Sequence, residues 1–185
     1  MHNIKQEDLI VLYSEFGQKK IRLRPIQEND TDYILQWRNE DWVRSNFIFR
    51  NTLTFDMHRN WLYSNVYPGK AIQYIIEDAN KCLPIGSIYI RDINLRDESG
   101  EFGIFIGEQE YAAKGYGTLA IQTFIPFCFS LGFHRIFLRV FKENVLANHV
   151  YFKTGFCVEG IARDMVFLNG KRHDIVFMSI INDNC

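Results

Sequence analysis

Residues 101–131, EFGIFIGEQEYAAKGYGTLAIQTFIPFCFSL, decide how the whole chain is read. The run Phe102–Ile106 is β-rich and follows the polar loop Arg96-Asp97-Glu98-Ser99-Gly100. Leu119–Leu131 is a long apolar helical stretch, with Pro126 inside it expected to introduce a kink because it removes the bond to the Gln122 carbonyl. Between strand and helix lies Ala112-Ala113-Lys114-Gly115-Tyr116-Gly117-Thr118. Glycines there let the backbone turn so that consecutive N–H groups converge, and the helix dipole adds about half a positive charge at the same spot. A pyrophosphate is the natural guest of such a bend. The same bend also serves as a tight, ligand-free strand-to-helix turn. The spacing fits neither the GxxxxGK[ST] phosphate loop nor a dinucleotide fingerprint, which needs a third glycine and a following acidic residue.

Working outward, Ala71–Glu77 and Ile85–Ile93 read as strands around the turn Asp78-Ala79-Asn80-Lys81. Upstream, Leu9–Tyr13 and Lys20–Arg24 are short extended runs joined at Phe16-Gly17-Gln18, with Pro25 ending the second. Glu28-Asn29-Asp30 supplies cap chemistry for a helix through Tyr33, Ile34, Trp37 and Arg38, and Thr54 opens a second helix carrying Met57, Trp61, Leu62 and Val66 at helical spacing. Downstream come a strand Arg135–Phe141, a helix from Val145 to Thr154 ending at Gly155, and the runs Val158–Leu168 and Arg172–Ile181 around an Asn169-Gly170 hairpin turn. This order predicts one mixed α/β domain over residues 1–185, with residues 1–19 as an N-terminal extension.

Composition narrows the function classes. The 185 residues are 47% hydrophobic and 23% charged, which supports a packed core and excludes a disordered chain. Twenty-one basic residues against 22 acidic ones give a formal charge of -1, so no global field draws the chain to nucleic acid or anionic lipid. No segment approaches a membrane span. Cys82, Cys128, Cys157 and Cys185 are dispersed without CxxC pairing, the pattern of free thiols in a reducing cytoplasm, with Cys128 and Cys157 expected in the core. The five histidines show no metal spacing, so no metal site is expected.

Joint features identify a family. Ile21-Arg22-Leu23-Arg24-Pro25, Trp37-Arg38-Asn39, Ile85-Gly86-Ser87, Glu101-Phe102-Gly103-Ile104, the glycine bend, Asn144 through Phe156, and Gly170 followed by Asp174 occur in this order. Together they resemble the GNAT superfamily of acetyl-CoA-dependent N-acetyltransferases, and within it the ribosomal-protein-alanine acetyltransferase-like branch. The resemblance spans roughly residues 20 to 182. It implies an α+β fold whose mostly antiparallel central sheet, flanked by helices, splays between the fourth and fifth core strands.

The resemblance also implies roles. Ala112, Ala113, Lys114, Gly115, Tyr116, Gly117 and Thr118 would hold the pyrophosphate of acetyl-CoA, mainly by main-chain N–H groups, although many relatives carry Arg or Gln where Ala112 stands. Main-chain groups of Phe105, Ile106 and Gly107 would meet the pantetheine arm, Gly107 being suited to the break in pairing, and Asn144 would contribute to the cofactor site. Tyr151, a phenol of ordinary pKa about 10, would protonate the leaving thiolate. Glu101 would serve as the base, directly or through water, with Glu108 a weaker alternative.

Packing offers an alternative reading of several of these residues: Tyr151 as an aromatic on a helix, Glu101 as a strand-end charge, His58 as a surface or capping histidine. Arg38, Asn39 and His58 are the acceptor-side candidates. The Arg38-Asn39 pair would either grip a phosphate or carboxylate or cap a helix end. The implied acceptors are a protein N-terminal amine, an amino sugar on a nucleotide, or a small amine such as a polyamine. Near-neutral charge speaks against a dedicated polyamine site, which would want clustered carboxylates. A catalytically silent acyl-CoA-binding module is the alternative, and the terminal hairpin with surface aromatics would support a homodimer.

Overall fold

The computed structural model describes residues 4–183. Its elements follow in the order β1 (Leu12–Phe16), β2 (Lys19–Pro25), α1 (Thr31–Asn39), α2 (Asp41–Arg44), α3 (Phe55–Trp61), β3 (Ile72–Asp78), β4 (Leu83–Asn94), β5 (Ser99–Ile106), α4 (Tyr116–Ser130), β6 (Arg135–Phe141), α5 (Val145–Lys153), β7 (Cys157–Leu168) and β8 (Lys171–Ile181). The strands form one sheet in the order β1-β2-β3-β4-β5-β6-β8-β7. Every neighbouring pair is antiparallel except β5 with β6.

Pairing between β5 and β6 sets up the site. It covers only Ser99, Gly100 and Glu101 against Arg135, Ile136 and Phe137, after which the two strands part. Counted from β2, these are the fourth and fifth strands, where the split was expected. It opens earlier than Gly107, and Gly107 has a different task. A Cβ there would lie 2.1 Å from Cγ of the Trp37 indole, so only glycine lets that ring lie on the strand end.

Alternation along the strands dictates two cores, one per face. On one face α4 and α5 cover Leu23, Tyr74, Ile88, Phe102 and Leu138. On the other, α1 and α3 cover Ile75 and join it to Ile26, Ile34, Trp37, Leu62 and Val66. The β3 strand is buried on both faces, and its polar residues Gln73, Glu77 and Asp78 are buried with hydrogen-bond partners in Ser87, Arg24 and Tyr111.

Two motifs singled out in the sequence turn out to be architectural. Arg24 grips the Asp30 carboxylate with two bonds of 2.7 Å and donates its Nε to Glu77, which also pairs with Arg22. Asp30 in turn accepts the Gln27 N–H at 2.8 Å, so this network fixes the entry into α1. Asp174 ties the terminal hairpin by accepting from the Asp164 N–H at 3.0 Å and from Lys142 at 3.1 Å. The α4 helix runs on through Pro126 to Ser130. Among the described residues no helix is long and apolar enough to cross a membrane.

Cys128 is buried as expected, but Cys157 opens the edge strand β7 and is exposed. No strand covers its far side, which explains the difference. Cys82, Cys128 and Cys157 are all unpaired, and Cys185 lies outside the described residues.

Candidate active site

A cavity of about 1000 Å³ runs from the glycine bend, across the parted strands, to the face covered by α1 and α3. Three local structures build its donor end. Ala113 and Gly115 both adopt left-handed backbone, with φ of 55° and 87°, and Gly115 is the residue that opens α4. The left-handed turns aim main-chain N–H groups at one concavity, and the helix N-terminus adds its partial positive charge there. Ala112, Ala113, Gly115, Gly117 and Thr118 line the cavity. Lys114 is exposed outside the lining, and Tyr116 instead stacks edge-on against Tyr111 at 5.0 Å. A Cβ on Gly117 would stand 3.9–4.0 Å from Ile106 and Ile104, so this glycine borders the split strand with room to spare.

The split leaves main-chain groups without a sheet partner. Gly107 donates its N–H to the Ile85 carbonyl at 2.8 Å, on the β4 side. Successive N–H groups along a strand point to opposite edges, so those of Phe105 and Gly107 face β4. Those of Ile104 and Ile106 face the opposite edge, where β6 has parted. Of the three residues expected to meet the pantetheine arm, Ile106 has the right direction, while Phe105 and Gly107 spend their donors within the sheet. Ile104 was missed. Its only sequence signal was its place two residues before Ile106.

Tyr151 reaches the cavity from α5 and packs against Phe102 and Phe156, with ring centroids 6.2 and 5.8 Å away. Burial, with Tyr89 adding to it, pushes its phenol well above the ordinary value, which favours the protonated hydroxyl. Asn144 also lines the cavity, but its side chain is occupied: Oδ1 caps α5 by accepting from the Ala147 N–H at 3.1 Å, and Nδ2 donates to Asn46 at 3.0 Å. Asn148 holds the start of α5 in place, donating to the Phe141 and Asn144 carbonyls.

Glu101 is 5% exposed and sits at the floor of the acceptor end. Arg139 donates to both its oxygens at 2.9 and 3.0 Å, and Arg91 bridges to it at 3.1 Å. Burial by itself would raise this carboxyl, but the two guanidiniums outweigh it and hold the pKa below the ordinary range. A carboxylate so held is a weak proton acceptor. Glu108, the alternative base, accepts the Trp37 indole N–H at 2.7 Å and does not line the cavity.

The acceptor-side candidates divide. Arg38 lines the cavity, its guanidinium stacked 3.4 Å from the centroid of the Phe47 ring. Asn39 does not. It pins the loop before α3, donating to the Leu53 carbonyl and accepting the Leu53 N–H at 3.0 and 2.8 Å. His58 lines the cavity but is neither a surface nor a capping residue: at 3% exposure it pairs Nδ1 with the Thr31 hydroxyl at 3.0 Å. Burial pushes its pKa down to about 4, so its ring is neutral near pH 7.

Sequence reading missed Tyr89, Arg91, Arg139 and Lys19. Tyr89 crosses β5 at Gly103, where a Cβ would come within 2.2–2.5 Å of its ring. A Cβ on Gly115 would stand 3.9–4.0 Å from the Lys19 Cε and Nζ, which places that ammonium beside the donor bend. No group of His, Cys, Asp and Glu suited to a metal ion occurs among the described residues.

The chain is similar to known proteins. A family model described as the acetyltransferase (GNAT) domain matches residues 20–157. Spermidine N(1)-acetyltransferase from Vibrio cholerae is 29% identical over 163 residues, covering 88% of this chain and 93% of that protein. The Escherichia coli K12 spermidine N(1)-acetyltransferase is 29% identical, covering 86% of this chain and 85% of its own. The crystal structure of the Vibrio cholerae spermidine N-acetyltransferase in complex with CoA and spermine has a TM-score of 0.81 at 28% identity, over 87% of this chain and 95% of that one.

Proposed function

Because this chain belongs to the GNAT acetyltransferase family, and is therefore an acetyl-CoA-dependent N-acetyltransferase acting on an amine, we propose that transfer takes place directly in the cavity between β5 and β6. The main-chain groups of the bend from Ala112 to Thr118 hold the pyrophosphate, with Lys114 and Lys19 adding charge. Acetyl-CoA supplies the activated acyl group as a thioester. The N–H groups of Ile104 and Ile106, already fixed in direction by the strand, donate to the oxyanion as charge develops on the acyl oxygen. The acceptor ammonium loses one proton to solvent before attack; the Tyr151 hydroxyl gives its proton to the departing thiolate and is restored, through water, by the second proton that the nitrogen sheds as the amide forms. Glu101 acts by positioning Arg91 and Arg139 rather than by taking the amine's proton. The observation that carries this reading is the parting of β5 from β6 immediately beside a left-handed, helix-opening bend.

The acceptor enters from the α1 and α3 face. Spermidine, the substrate named for the relatives, is one candidate; a protein N-terminal amine and a nucleotide-linked amino sugar are the others. Thiol release from acetyl-CoA across a panel of these amines tests the reading. Tyr151→Phe is expected to cut turnover by about 100-fold or more while CoA affinity stays unchanged. Binding of acetyl-CoA with no turnover on any amine would overturn direct transfer, and full turnover by the phenylalanine variant would remove the acid role.

A further inference from the structure

We propose that the acceptor carries an oxyanion, a phosphate or carboxylate, which Arg38 receives at the inner end of the cavity, and that the site selects against polyamines. This rests on the reading of the cavity as the transfer site and adds the chemical class of its second substrate.

Charge at the acceptor end carries the argument. Arg38, Arg91 and Arg139 line it against one carboxylate, Glu101, and Glu101 is already bonded to two of the three. Asp92 stands 3.7 Å from Arg91 but is exposed and outside the lining. Arg50, 5.2 Å from the Phe141 ring, likewise lies outside the lining. Arg38 itself has no carboxylate: among the described residues no acidic side chain pairs with it, and its Nη1 is buried without any hydrogen-bond partner. Arg38 is half-buried, and a guanidinium nitrogen buried without a partner is costly to the folded chain unless a ligand completes it. Stacking on Phe47 holds its plane, leaving the fork of donors free for a planar or tetrahedral anion. A polyamine carries several ammonium groups and needs carboxylates along its length; this cavity offers one, and that one is neutralised. The buried His58 Nε2, also without a partner, gives the same region one further neutral polar contact.

The test measures equilibrium binding to CoA-saturated protein, so that phosphate-bearing probes cannot occupy the donor bend. The probes are glucosamine, glucosamine 6-phosphate, a uridine-diphosphate-linked amino sugar, glutamate and spermidine. Glucosamine 6-phosphate or the nucleotide sugar, or glutamate if the anion is a carboxylate, is expected to bind at least about tenfold tighter than glucosamine and spermidine. Arg38→Gln is expected to erase that difference, and Arg38→Lys to restore part of it. The wild-type comparison stands alone if a variant fails to fold.

Spermidine binding as tightly as the best anionic amine, absence of binding by every anionic probe at millimolar concentration, or a preference that survives Arg38→Gln would each overturn the proposal. Failure of the underlying reading has a separate signature. It is the absence of CoA binding by the wild-type protein, and the anion preference is then read in the CoA-free state from its loss or survival in Arg38→Gln.

Discussion

Replacing Gly117 by glutamate separates the fold of the donor bend from its chemistry. Gly117 is the second residue of α4, and its φ lies outside the left-handed region. The new Cβ would meet Ile106 and Ile104 at 3.9–4.0 Å, ordinary contact distances. Removing a glycine from a helix stabilises it by about 0.5–1 kcal/mol, and a carboxylate in the first turn adds about 0.3–1 kcal/mol. For a chain of this size that sum raises Tm by about 2–6 °C. The same carboxylate opposes a bound diphosphate. At an effective dielectric of about 20, two like charges about 4 Å apart repel by about 4 kcal/mol. Solvent and side-chain rotation take back part of this, so a loss of about 100-fold in CoA affinity is the expected floor. Thermal unfolding and titration calorimetry with CoA read the two effects side by side, with Gly117→Ala as the neutral control. A folded glutamate variant that binds CoA as tightly as wild type would refute the placement of the diphosphate at this bend.

The buried imidazole of His58 sets a pH dependence. Its pKa falls from 6.5 to about 4 on folding, so between those values the unfolded chain binds more protons and stability rises with pH. Denaturant titrations are expected to show about 3 kcal/mol lost as pH falls from 6.5 to 4, and His58→Gln should flatten that slope. Gly107→Ala drives a methyl into the Trp37 indole and should cost about 1–3 kcal/mol. An unchanged urea midpoint would mean that the ring does not lie on the strand. Asn144→Ala removes the α5 cap and should lower stability by about 1 kcal/mol, with Asn144→Asp recovering most of it. A drop in CoA affinity in the alanine variant that the aspartate does not rescue would add a direct cofactor contact to the cap.

Legibility in the sequence followed how local each feature is. Strands β3 to β6 and the terminal hairpin were readable because each is a single run bounded by turn residues, and β6 matched residue for residue. The first strand was expected at Leu9–Tyr13 and forms at Leu12–Phe16, because the two-residue turn at Gly17 fixes register from the hairpin end rather than from the apolar residues. Likewise α4 begins at Tyr116, three residues before the apolar run, since the left-handed Gly115 starts the helix. The glycine bend is one contiguous segment, and its strand-to-helix geometry was visible as such. The acceptor end is not: Tyr89, Arg91, Glu101 and Arg139 take alternate places on three separate strands, and only lateral pairing and the crossover through α4 bring them together. No spacing along the chain marks that convergence. Asn39 and Asn144 are ambiguous in sequence for the opposite reason, because an amide at a helix end looks the same whether it caps the chain or receives a ligand.

The indole of Trp37 rests on bare backbone at Gly107 and is latched to the next residue, Glu108. The first helix is thereby keyed to the end of β5, and neither can slide past the other without dislodging the ring. Adaptation toward new acceptors has little freedom in that helix. It would have to work through residues 45–53, between α2 and α3, and there around Asn46, Phe47 and Leu53, which are tied to Asn144, Arg38 and Asn39.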